Sequence, residues 1–303
     1  MSMRRWAWFF IGMIAAFPGR PATAQRPQGP QSGTEQAPIV VEGRRDRDAE
    51  INELVGALPP APANGHISRF EHDACPAVLG LPPAQRSFVV ARMRAVAAAA
   101  RVPIGRANCR PNVLLLVTSD KRQLIEQLER RFPDYLGDLS GRQVRRLAEG
   151  PEPAAVWHLR GSVDADGRQL TANVDGVIVQ RTTRGGSRIT ELAHPEYIGS
   201  VLVVEARALD GLTTAQLADY AAMRTFSGAD PARLPDRTLS TILTLLDAPM
   251  GSEVPLTLTS WDLAFLQSLY ASDASRYAAG QRGEIQAGMR RGLERAPDRP
   301  EHH

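Results

Sequence analysis

Most of the residues that announce a specialised protein are scarce in this chain. Its 303 residues include two cysteines, one lysine (Lys121) and only 6% aromatics. Two cysteines exclude a disulfide-dense scaffold, and 43% hydrophobic with 23% charged residues excludes collagen-like, coiled-coil and disordered chains. Beyond the first 24 residues, Arg, Asp or Glu interrupts each apolar run within about 12 residues, whereas a membrane span needs about 20. The phosphate-binding patterns GxGxxG and GxxxxGK[ST] and the nucleophile elbow GxSxG are all missing. Positive charge is also scarcer than the net +3 suggests. Arg4, Arg5 and Arg20 stand in a segment without acids, and removing it turns 36 basic against 33 acidic residues into 33 against 33. A balanced chain gives no reason to expect a nucleic-acid partner.

What is present begins with an export signal. Arg4 and Arg5 form a basic start, residues 6–17 are apolar, and Ala22, Thr23 and Ala24 supply a small-x-small cleavage signature. The residues after the Arg pair do not complete a twin-arginine pattern, so the expectation is a Sec signal cleaved after Ala24. There is no cysteine at the cleavage site to carry a lipid. Arg almost wholly replaces Lys, as GC-rich coding does, and this points with the signal to a Gram-negative periplasm or to secretion. In such a compartment Cys75 and Cys109 are expected to be bridged. A redox pair or metal ligation are the rivals, but neither a CxxC nor a neighbouring His pattern accompanies them.

Along the mature chain, residues 25–65 read as a disordered leader and linker. Residues 25–37 are Pro/Gln/Gly-rich, residues 38–43 have the look of a short strand, a charged helix-like piece follows, and residues 58–65 form a Pro-rich linker. A single domain is expected over 66–296 with a disordered tail at 297–303. Within it the pattern predicts a helix over 84–101 with Val89, Met93, Val96 and Ala100 inward, and a buried strand over 112–118. A helix opened by Asp120 carries Leu124, Leu128 and Phe132 on its inner face, and a short helix is opened by Ser140 and Gln143. Strands follow at 155–163, 168–174 and 177–181, joined by Asp-Gly turns, with another over 200–207. Helices close the chain at 213–226, opened by Thr213 with Gln216, and at 238–247, 259–271 and 282–295. The fold class is therefore α+β: a mixed sheet of four or five strands covered by helices, with a helical C-terminal third.

No residue pattern names a reaction, and no catalytic residue, metal ligand or cofactor is assigned. His194, Pro195 and Glu196 match half of a zinc deaminase signature whose other half, PCxxC, never follows. His158 reads as an ordinary sheet histidine beside Trp157. His66 and His72 flank Phe70 and either pack at the surface or reach one shared ligand. Glu205 and Asp219 are a carboxylate pair suited to acid–base work if the strand and the next helix bring them together.

The segment 256–270, LTLTSWDLAFLQSLY, resembles the LTxxDxxxLxxLY helix that closes a family of exported, sphingomonad-type alphaproteobacterial proteins with a zincin-like fold. Cys75-Pro76 and Cys109-Arg-Pro-Asn112 are similar to landmarks of the same family. Zincins carry HExxH on a central helix, with two His on zinc and the Glu activating water. The corresponding helix here places Asp219, Tyr220, Ala221, Ala222 and Met223 at those five positions. The resemblance thus implies a degenerate scaffold without its catalytic set. It implies a non-catalytic protein that binds a peptide or envelope partner in a former cleft lined by Glu205, Asp219, Tyr220 and Met223. The alternative is a hydrolase of unrecognised type using carboxylates near Glu205 and Asp219. Oligomeric state has no signature in the sequence.

Overall fold

A computed structural model describes residues 42–61, 65–170, 193–234, 239–248 and 252–295. The expected signal peptide and Pro/Gln leader, most of the paired strands expected over 168–181, and the tail lie outside these residues. Among the described residues, no helix is long and apolar enough to cross a membrane.

The fold is α+β, built on a four-stranded mixed sheet. Its strands are β1 (Pro76–Leu79), β2 (Val113–Thr118), β3 (Ala154–Asp164) and β4 (Ala193–Glu205), in spatial order β1-β2-β4-β3. The first three neighbours run parallel, and β3 runs antiparallel to β4 at one edge. The central strands are apolar almost throughout because both sides of the sheet are covered. Along β2, Val113 and Leu115 enter one core while Leu116 enters the other; along β4, Leu202 and Val204 oppose Val201 and Val203. A bulge at Ile198 adds one residue to β4 between the pairs Leu159–Gly199 and Arg160–Tyr197. It turns Tyr197 onto the same side as Leu202.

The larger core receives α1 (Glu42–Gly56), α2 (Pro83–Ala100), α5 (Thr214–Ser227), α6 (Ser260–Ala271) and α7 (Ala278–Arg295); the smaller takes α3 (Lys121–Arg131) and α4 (Gly141–Glu149). Start signals read from sequence are realised. Asp120 accepts from Gln123 N at the head of α3, and capping boxes open α4 (Ser140, Gln143) and α5 (Thr213, Gln216). The only lysine is also structural. Lys121 is 3% exposed, and its Nζ donates to the carbonyls of Gly150 and Glu152, holding the turn that feeds β3.

Cys75 and Cys109 are bridged, with Cα atoms 6.0 Å apart. The bond joins the approaches to β1 and β2 and so closes the β1–α2–β2 unit. Asn112 works beside it, donating to the carbonyls of Asp73 and Ile198 and accepting from Cys75 N.

Four expectations differ. The folded unit begins at Glu42 and not near Ile67: Ile51, Leu54, Val55 and Leu58 lie in the main core, and Arg282 of α7 donates to the carbonyls of Val55 and Pro59. A helix with so few apolar residues reads as a solvated piece until its partner is known. Glu42 and Gly43, expected in a short strand, begin that helix. Phe132 lies beyond α3 and is 56% exposed, with Ile125 taking the inward place. Over 238–247 the described residues form a single 3-10 turn, Ile242–Thr244, opened by Thr241 accepting from Leu243 N.

Candidate functional site

A cavity of about 850 Å³ follows the outer edge of β3. Five consecutive residues, Ala154 to His158, line it, so both faces of the strand border the groove. One wall comes from α4 and the turn before it, the other from Tyr220, Arg224 and Gly228 of α5 with residues 230–234 and 244–248. The hydrogen-bond phase of the strand follows from one contact: Glu205 N donates to the Pro153 carbonyl. In an antiparallel pair, inward and outward residues alternate. Ala155 and Trp157 therefore bond to β4, while the backbone groups of Ala154, Val156 and His158 point into the groove. Among the described residues nothing bonds to these outward groups. Further along, Leu170 N donates to the Ser162 carbonyl and covers that end of the edge.

The floor is largely uncharged. His158 stacks on Tyr197 with ring centroids 4.1 Å apart, and its Nε2 lies 3.0 Å from the Thr225 carbonyl that accepts from it. Burial pushes the His158 pKa down to about 4, and the nearby Arg224 and Arg160 charges push the same way. Burial likewise raises the Tyr197 phenol to about 12 and moves Tyr220 upward. Gly228 ends α5 at φ +66°, where a Cβ would come within 2.5 Å of the Tyr197 hydroxyl. Both the turn and the close approach require glycine there.

Helix α5 is buried on every side from Gln216 to Ser227, so each of its polar groups needs a partner. Thr225 and Ser227 donate to the carbonyls of Ala221 and Met223. Asp219, 0% exposed, accepts from Arg92 Nε at 2.7 Å and Nη2 at 2.9 Å, from Thr257 Oγ1 at 2.7 Å and from Leu258 N at 2.7 Å. Its charge also holds the Arg92 pKa above the ordinary value. Arg224 is 6% exposed and less well supplied. Nη1 donates to the Tyr220 hydroxyl at 2.8 Å, its guanidinium lies 5.6 Å from that ring, and Nε is buried without a partner.

The residues singled out in the sequence are therefore dispersed. Tyr220 lines the groove, but Asp219 and Met223 do not. Asp219 ties α5 to α2 and to the approach of α6, and Met223 is fully enclosed in the core. Glu205 shares the strand face of Val201 and Val203, accepting from Arg207 and from Lys121 N, whereas α5 packs on the opposite face. The Glu205–Asp219 pair does not meet, and Glu205 is no part of the groove. The groove-facing pair on α5 at helical i, i+4 spacing is Tyr220 and Arg224, one residue beyond the register expected for the HExxH positions.

Two histidines approach each other away from the groove: the rings of His66 and His194 lie 6.2 Å apart between centroids. His72 pairs with the fully buried Glu196 at 2.8 Å, while His66 lies near the Ser275 carbonyl and packs against Tyr277. His194 borders a separate cavity of about 240 Å³, and burial lowers its pKa. Among the described residues, no three His, Cys, Asp or Glu side chains are grouped to hold a metal ion.

The LTxxDxxxLxxLY segment is architectural. Thr259 and Asp262 form the capping box of α6, and Asp262 also accepts from Thr241 Oγ1 and Ile242 N. Leu266 and Leu269 are core residues, and the Tyr270 hydroxyl donates to the Phe226 carbonyl near the end of α5. Sequence reasoning missed His158 and Arg224 as groove residues; the available signal was the four-residue spacing of Tyr220 and Arg224.

No protein-family model, curated protein or solved structure matches the chain.

Proposed function

We propose that this is an exported, non-catalytic protein that binds a peptide or an envelope partner by adding an extended segment to the outer edge of β3. The observation that carries the reading is the groove of about 850 Å³ beside the outward backbone groups of Ala154, Val156 and His158. Strand addition draws affinity from such main-chain groups and specificity from the side-chain pockets beside them. The Cys75–Cys109 bridge fits an oxidising compartment, in keeping with the N-terminal signal pattern.

A degenerate zincin-like scaffold remains part of the proposal. The buried helix beside the groove presents Tyr220 and Arg224, a hydrogen-bonded pair that offers no imidazole to zinc and no carboxylate to activate water.

The test combines two measurements on purified mature protein. Hydrogen–deuterium exchange should show fast exchange at Val156 and His158, slowed when an array of end-capped extended octapeptides yields a binder. Metal analysis should find no stoichiometric zinc, and peptide cleavage should be absent. Edge amides already protected in the free protein would show the edge to be occupied, and chelator-sensitive proteolysis with bound zinc would replace the reading with an enzyme.

A further inference from the structure

Two guanidinium groups meet at α5, that of Arg92 from α2 and that of Arg224 from the helix itself. Arg92 presents Nε and Nη2 as a fork, and the fork is filled by the two oxygens of Asp219. That planar, two-donor edge is the geometry a carboxylate matches. Arg224 uses only Nη1, on the Tyr220 hydroxyl. Its Nε is buried without a partner, and no hydrogen bond engages its Nη2 among the described residues. No carboxylate of the described residues lies within the 4.0 Å of an ion pair with it.

A buried cation without a counter-ion is unfavourable, and a neutral hydroxyl with one aromatic face offsets only part of that. Elsewhere on α5 the accounting is complete, since Asp219, Thr225 and Ser227 are all satisfied. The incomplete group is the one that lines the groove. The nearest surroundings do not make good the deficit. His158 is kept neutral by burial, and the charges that reach it are those of Arg224 and Arg160, both positive. Asp230 and Asp247 border the same groove, and their charges are felt at Tyr220, but neither pairs with Arg224.

We propose that Arg224 anchors a carboxylate of the bound segment, so that the groove selects extended peptides carrying either a free C-terminus or an acidic side chain at the position opposite α5. This rests on the strand-addition reading above and adds the chemistry of the ligand to it. The carboxylate would sit on the Nε–Nη2 fork as Asp219 sits on that of Arg92, while the peptide backbone meets Ala154, Val156 and His158. The Tyr220 hydroxyl, accepting from Nη1, holds the guanidinium at the groove wall.

The experiment uses the mature protein labelled with ¹⁵N and follows the Nε–H resonance of Arg224, assigned by its absence in Arg224→Met. Four probes are titrated: sodium acetate, and N-acetyl octapeptides of alternating Val and Thr ending in an amide, ending in a free carboxylate, or ending in an amide with one central Glu. The expected result is that at least one carboxylate peptide moves the resonance and binds about tenfold or more tightly than the neutral amide. Which of the two does so identifies the source of the carboxylate. Arg224→Met should erase the preference, and the comparison among peptides on the unaltered protein stands even if that variant folds poorly. Equal binding of neutral and acidic peptides would overturn the carboxylate anchor and leave the groove reading intact. Acetate shifting the resonance saturably while no peptide binds would support the anchor and defeat the strand-addition reading. Silence of all four probes would overturn the anchor.

Discussion

Helix α5 carries two charged residues five positions apart, and they are treated in opposite ways. Asp219 is wrapped by donors from α2 and from residues 257–258, whereas Arg224 meets one neutral hydroxyl and leaves its best fork unused. The first arrangement holds three parts of the fold together and lies fully buried, outside the groove. The second is poor architecture but a good receptor for an anion. The contrast teaches that a buried charge marks a functional site only when its own chain fails to satisfy it.

Breaking the Asp219 side should have the largest effects. Replacing both Cys75 and Cys109 with Ala frees the β1–α2–β2 unit on which Arg92 rides and should lower stability by about 3–4 kcal/mol in denaturant unfolding. Asp219→Ala strands Leu258 N, Thr257 and the half-exposed Arg92 together, and should cost about 3 kcal/mol. Thr259→Ala removes one cap of α6 and should cost about 1 kcal/mol by the same measurement. On the groove side the effects shrink and change in kind. His158 titrates at about 4 in the folded protein and near 6.5 when unfolded. Above pH 6.5 both states are neutral there and the group makes no difference. As pH falls from 6.5 toward 4 the unfolded chain takes up a proton that the native state refuses, so stability declines across that window. His158→Gln should flatten this part of a stability–pH profile, and an unchanged slope would show that another group sets it.

How much of this was legible in the sequence depended on the kind of signal. Local chemistry read well: Asp120, Ser140 with Gln143, and Thr213 with Gln216 each open the helix expected of them. An uninterrupted apolar run marked β2 as a buried strand. Helix α1 was legible as a helix-like piece but not as part of the core, because Ile51, Leu54, Val55 and Leu58 gain their meaning only from α7, more than two hundred residues away. The register of α5 was one residue out for a different reason. A helix buried on all sides has no polar face, so its periodicity does not say which side looks into the groove. Glu205 and Asp219 looked paired because a strand leads to the next helix, but the strand's alternation sends Glu205 to the face away from α5. The groove itself joins β3, α4, α5 and residues 230–234 and 244–248, a convergence that no local pattern encodes.

The most direct test of the central claim is denaturant unfolding of Arg224→Met beside the unaltered protein, each with and without a carboxylate-bearing octapeptide that the unaltered protein binds. Met keeps the apolar stem and removes an unsatisfied buried charge, so the variant should lie within about 1 kcal/mol of the unaltered protein or above it. Only the unaltered protein should gain stability from the peptide. A loss of about 3 kcal/mol in the free variant, matching that of Asp219→Ala, would show that Arg224 is a structural partner like Asp219 and contradict the account.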